Sequence, residues 1–174
     1  MKFIKPIIIL CLAVVLSFFT LGLINPSVTV EDKIEVNAMI SEAFASVIEP
    51  TTINKWFPQI TNIKHFEGLP YTKGSVEKCI LQLEDEQIEI EAQIEEINPY
   101  KSSIVSFQNH KFKGSVEMFF NQTGKNTLVT YKISIEGNNI FYRALFALSK
   151  SIIESESVLA FARYKEVVES LPYL

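Results

Sequence analysis

With two histidines and two cysteines, this 174-residue chain has few places where chemistry can reside. His65 and His110 are isolated, with no partner at a spacing that builds a metal site or a general base. His110 falls in Asn109-His-Lys-Phe-Lys113, a stretch that reads as an exposed hairpin. Asp32 interrupts the apolar face of one alternating segment, and Tyr131 falls on the apolar face of another. Aimed inward, that carboxylate and phenol would orient a ligand or act as acid–base groups with His110. The other reading of Asp32 is a strand-end bulge open to water. Cys79 stands alone outside an apolar run that holds Cys11, so no disulfide between them is expected, and Cys79 reads as a buried apolar thiol. The acid-rich run from Glu84-Asp85-Glu86 to Glu95-Glu96 alternates with apolar residues, the mark of a solvated sheet face rather than a calcium site. Asn121-Gln122-Thr123 fits a glycosylation sequon, which matters only in a eukaryotic secretory context. No glycine-rich phosphate loop, nucleophile elbow or metal-binding pair occurs, so no catalytic residue, cofactor or metal is assigned.

Composition bounds the elements that must position these groups. Hydrophobic residues make up 48% and charged ones 21%, enough to bury the core of one ordinary domain with an appendage. A net charge of −4 argues against nucleic acid, whose binders present a basic surface. The mean hydropathy of +0.19 is high, and the excess is concentrated near the N-terminus.

Residues 6–24 read PIIILCLAVVLSFFTLGLI, without a charge. As a helix this run is about 28 Å long, close to the ~30 Å hydrocarbon core of a bilayer. It exceeds the apolar region of a cleaved signal peptide, and no small-x-small site follows it. The expected organisation is a transmembrane signal anchor over residues 1–25 and one domain over residues 26–174. Lys2 and Lys5 precede the run, while Glu31 and Asp32 follow it, which holds the N-terminus in the cytoplasm and the domain outside, as in a bacterial cell envelope. Removing residues 1–25 takes away two lysines and no acid, so attachment to anionic lipid must come from the helix itself.

Period-two alternation over residues 28–36 predicts a half-buried strand. A short helix over about 41–48 stops before Pro50, and a second starts at Thr51 or Thr52 and ends near Trp56-Phe57-Pro58. Six strands follow at about 60–66, 74–84, 87–97, 102–109, 114–122 and 126–136, separated by turn-rich stretches. Their alternation predicts an antiparallel sheet with one wet and one covered face. Phe141, Leu145, Leu148, Ile152 and Leu159 then form a helical stripe, predicting one helix from about 140 to 170, ending before Pro172. Burying that stripe against the covered face is the simplest solution.

Three stretches carry a family resemblance: Val36-Asn37-Ala38, Ala43-Phe44-Ala45, and Asn54-Lys55-Trp56-Phe57-Pro58. Together they resemble the opening of START-like (SRPBCC superfamily) proteins, the polyketide cyclase/dehydrase and lipid-transport group. Gly124-Lys-Asn-Thr127-Leu-Val-Thr130-Tyr131 is similar to a later hairpin of that family, and Tyr164-Lys165-Glu166 to its final helix. Met39 departs from the proline usual after Asn-Ala. The resemblance implies an α+β helix-grip fold, a curved seven-stranded antiparallel sheet around a long C-terminal helix, here in a membrane-anchored variant. It implies an apolar ligand class and carries over no catalytic residue.

Strand alternation and the implied fold together suggest a lining of Cys79, Leu81, Ile90, Ala92, Met118, Phe120, Val129 and Tyr131 from the sheet. Phe146, Ile152 and Ile153 would approach from the helix, and Trp56 and Phe57 either gate the mouth or pack where a short helix joins the sheet. Such a lining suits a lipid or other hydrophobic small molecule. The same residues would equally form a solid core. The expected function is a membrane-anchored binding protein; the alternatives are a cyclase/dehydratase-type enzyme and a cavity-less interaction module.

Overall fold

The computed structural model describes residues 4–83 and 86–171. Lys2, the Glu84-Asp85 part of the expected turn and Pro172 lie outside the described residues. Helix α1 (Ile4–Ile24) leads into β1 (Ser27–Val36), α2 (Ile40–Ile48) and α3 (Pro50–Trp56). Six strands follow: β2 (Ile60–Glu67), β3 (Val76–Gln82), β4 (Gln87–Asn98), β5 (Ser102–Gln108), β6 (Phe112–Thr123) and β7 (Asn126–Gly137). Helices α4 (Ile140–Leu148) and α5 (Lys150–Ser170) end the chain. Every expected strand is present, in a single seven-stranded antiparallel sheet ordered β1-β7-β6-β5-β4-β3-β2. Helix α3 starts at Pro50, one residue before the expected Thr51. Proline suits the first helical position because its missing N–H has no intrahelical partner there anyway.

The alternation read from the sequence sets the inner face. Register aligns Val30, Ile133, Val116, Val105 and Ile94 across β1, β7, β6, β5 and β4, with the acidic and amide residues of β4 on the outer face. Asp32 pairs with Tyr131 in unbroken register, so there is no bulge, and its side chain is exposed, with Oδ1 accepting the Lys33 N–H at 2.8 Å.

The C-terminal helix departs from expectation twice. It is interrupted at Ser149 (φ −88°, ψ 8°), which divides α4 from α5. The expected stripe is also not the buried one: Phe141, Leu145, Leu148, Ile152 and Leu159 are 40–62% exposed. Helix α5 instead buries Ser157, Ala160, Phe161, Tyr164 and Val168. This helix carries apolar residues on more than one face, so periodicity cannot choose between them. The choice falls to the face bearing Phe161 and Tyr164, whose large rings fill the space between α3 and β7.

The core forms two clusters on the inner face. The far cluster gathers Val36, Phe44, Trp56, Met118, Phe120, Val129, Tyr131, Phe161 and Tyr164 beneath α2, α3 and α5. The near cluster gathers Cys79, Ile88, Ile90 and Phe112, with Leu81, Phe107, Ile135 and Phe146 packed against it. Its members lie at the sheet edge where β1 leaves α1, because antiparallel pairing brings the ends of β7, β5 and β3 and the starts of β6 and β4 to that edge.

Candidate ligand site on the inner face of the sheet

The residues expected to line one cavity divide between the two clusters. Trp56, Met118, Phe120, Val129 and Tyr131 are buried in the far cluster, and Phe57 packs against it. There they interlock. The Phe161 and Tyr131 rings stack with centroids 3.4 Å apart, and Trp56 meets Phe161 at 5.8 Å and Tyr164 at 5.6 Å. Polar atoms are satisfied within this packing. Trp56 Nε1 donates to the Ser46 carbonyl at 3.0 Å, and the Tyr164 hydroxyl donates to the Ala43 carbonyl at 2.8 Å. Burial holds the Tyr164 hydroxyl far above its ordinary pKa, and burial followed by the Asp32 charge raises that of Tyr131. Trp56 therefore packs where α3 meets the sheet, the second of the two readings offered for it.

Cys79, Leu81, Ile90 and Phe146 belong to the near cluster. Ala92, Ile94, Val105, Val116 and Ile133 run between the clusters and are all half-buried, so the middle of the inner face is less tightly covered than either end. Ile153 is half-buried, whereas Ile152 is 62% exposed and leaves the lining set.

Besides Ile60 and Ile63 of β2, four residues that the sequence reading of the lining left out join the near cluster: Ile88, Phe107, Phe112 and Ile135. Ile88 was legible in the alternation of β4. The other three depend on Gly114, which pairs with Phe107 on one side and Ile135 on the other. A Cβ on Gly114 would lie 2.5 Å from Phe107 Cζ and 2.3 Å from the Ser134 carbonyl oxygen. Only glycine leaves that ring room to lie across β6, where it meets Phe112 edge-on at 6.1 Å.

The near cluster is apolar, and the carboxylate beside it is that of Glu77, opposite Ala92 on the same face as Cys79. Its one ionisable group is the Cys79 thiol, pushed up to about 11 by burial and then by the Glu77 carboxylate, so it is neutral at physiological pH. Such a surface holds apolar matter, with the His65–Glu77 pair at its border. Asp32 and Tyr131 are register partners on β1 and β7, but the two and His110 do not form one inward-facing acid–base site. Asp32 is exposed on edge strand β1, Tyr131 is buried in the far cluster, and His110 is exposed on the β5–β6 hairpin at the near edge.

His65, isolated in sequence, has partners in space. Its Nδ1 lies 3.1 Å from Glu77 Oε1, its Nε2 lies 2.9 Å from the Gly68 carbonyl, and buried Ser75 donates to the same Glu77 oxygen at 3.1 Å. Every ring nitrogen and the serine proton are thereby engaged in tying down the β2–β3 loop, so the trio is a structural clasp. A hollow of about 490 Å³ opens on the outer face among Glu91, Gln93, Glu95, Ser106, Lys113 and Ser134. Its polar walls are those of a solvated sheet surface.

No family model and no curated protein matches the chain. Solved structures do. The structure of Ara h 8.0201 is 13% identical, with 83% of this chain aligned to 99% of that one at a TM-score of 0.62. A protein of unknown function, SA2116 from Staphylococcus aureus, is 13% identical, with 83% aligned to 96% and a TM-score of 0.64. The di-domain ARO/CYC BexL from the BE-7585A biosynthetic pathway is 12% identical; 85% of this chain aligns with 52% of that one at a TM-score of 0.65. Likeness at such identities is one of architecture: the chain carries an α+β helix-grip fold.

Proposed function

We propose that residues 26–174 bind a lipid or another hydrophobic small molecule on the inner face of the sheet, and that residues 6–24 anchor this domain in a membrane. The observation that carries the reading is the apolar near cluster and the half-buried strip beside it, bordered by the single carboxylate of Glu77 opposite Ala92, at the end of the sheet where β1 begins. Few polar atoms around an apolar floor is the pattern of a site for an apolar ligand. Helix α1 supports the anchor: over Lys5–Ile24 its mean hydropathy is 3.0 and only 6% of it is buried by the rest of the chain. With Lys5 ahead of it and Glu31 and Asp32 behind it, the domain lies on the extracytoplasmic side, in a cell envelope. Tethering the domain beside a membrane raises the local concentration of a membrane-borne ligand. Asp32 and Tyr131 are neighbours across β1 and β7, but Asp32 faces solvent and His110 lies away from both on the β5–β6 hairpin, so binding is favoured over cyclase/dehydratase chemistry.

The test is native mass spectrometry of the full chain released from lipid nanodiscs, with extraction and identification of the bound molecule. Wild type is expected to retain a lipid or apolar adduct. Ala92→Phe, which fills the half-buried strip, is expected to lose most of it while keeping the fold. A wild-type chain that stays empty with every lipid and apolar dye sinks the proposal.

A further inference from the structure

Helix α4 presents two apolar sides with different neighbours. One side is packed: Ala144 is fully buried, and Phe146 meets Phe112 edge-on at 5.8 Å. Arg143 ties this helix to the end of β7, donating to Glu136 Oε1 at 2.7 Å and to the Gly137 carbonyl at 3.0 Å. The other side carries Phe141, Leu145 and Leu148, 50%, 40% and 58% exposed, and Ile152 at the start of α5 continues the row at 62%. Spacings of four and three residues place Phe141, Leu145 and Leu148 in one stripe on α4, and Ile152 follows just beyond the interruption at Ser149.

Helix α4 is also packed against α1. Gly22 is buried there, and a Cβ on it would lie 2.4 Å from the Ile140 carbonyl oxygen and 2.9 Å from Ala144 N. The Phe18 and Phe141 rings meet at 5.6 Å. Phe18 lies six residues before Ile24, so at 1.5 Å per residue it sits about 9 Å inside the end of the apolar span. A helix touching Phe18 shares its depth.

We infer that the α4 stripe, Phe141, Leu145, Leu148 and Ile152, is immersed in the outer leaflet beside α1. The inference rests on α1 being a membrane anchor, as proposed above, and adds that a second element enters the bilayer. The occupant is acyl chain because the stripe continues a surface that, in the anchored chain, is already bathed in lipid. Helix α4 then separates the leaflet from the near cluster by little more than its own width of about 10 Å. An apolar ligand would pass from leaflet to inner face around this helix without crossing water.

The test uses nitroxide labels on the full chain in phosphatidylethanolamine/phosphatidylglycerol nanodiscs, in a Cys11→Ala, Cys79→Ala background shown to be folded by circular dichroism. Single cysteines are placed by Val14→Cys, Leu145→Cys, Leu148→Cys and Glu156→Cys, all at exposed positions, so folding is retained. Immersion predicts that labels at 14, 145 and 148 collide several-fold more often with oxygen than with a water-soluble nickel chelate, and that the label at 156 shows the reverse. Nickel access at 145 and 148 with oxygen access at 14 overturns the inference and leaves the anchor standing. Nickel access at 14 as well removes both. Protection of 145 and 148 from both reagents overturns it in favour of a protein cover, such as a second copy of this chain.

Discussion

Leu159 and Phe161 lie two residues apart on α5, about 200° around the helix, so truncating each reports which face the sheet grips. Phe161 is 2% exposed, stacked on Tyr131 and flanked by Trp56 and Tyr164. Leu159 is 48% exposed. Phe161→Ala opens a hole in an interlocked aromatic cluster, and such truncations cost about 3–5 kcal/mol. Leu159→Ala removes a side chain already half in water, with nothing closed over it. Full burial of a leucine side chain is worth roughly 1.5–3 kcal/mol, so about half of that, at most ~1.5 kcal/mol, is its ceiling. At 2–4 °C per kcal/mol for a chain of this size, Phe161→Ala lowers Tm by roughly 6–20 °C and Leu159→Ala by no more than about 6 °C. Differential scanning fluorimetry of the detergent-solubilised chain, backed by urea titration, reads both. Equal costs, or a larger cost at Leu159, would mean that α5 is rotated, and the two-cluster account of the inner face would fail.

Gly114→Ala must force its methyl against Phe107 Cζ and the Ser134 carbonyl, and is expected to destabilise the domain by about 1–3 kcal/mol, the usual cost of overpacking. Stability by urea titration checks it, and an unchanged midpoint contradicts the close packing of Phe107 over β6. Alkaline pH tests the buried Cys79 thiol. Its folded pKa, about 11, exceeds the unfolded value near 9.0, so its contribution to stability is complete below pH 9 and is lost as pH rises through 11. In a Cys11→Ala chain, alkylation of the native state is therefore expected to stay slow at pH 9 and to accelerate toward pH 11. Fast labelling at pH 8 in native conditions would show that Cys79 is not buried.

Much of the fold was legible locally. Strand positions follow from alternation, which depends only on which side chains prefer water, and the order of elements suffices to suggest the helix-grip arrangement. The apolar run of α1 is equally local, since its length and composition need no partner. The two clusters were not legible, because Phe107, Phe112 and Ile135 are brought together by a register centred on Gly114, and register is a property of paired strands. The partners of His65 likewise come from β3 and the β2–β3 loop, beyond any motif spacing.

What residue order determined by itself is the set of elements and the polarity of each face, because both follow from hydration one segment at a time. Only the tertiary structure decided which apolar stripe of the C-terminal helices is buried. Phe141, Leu145, Leu148 and Ile152 keep helical spacing in the sequence yet remain exposed, because Gly22 and Phe18 draw α4 toward α1 while Phe161 and Tyr164 take the space over β7. Periodicity reports that a stripe will avoid water; whether protein or lipid receives it depends on which neighbours the whole chain brings within reach.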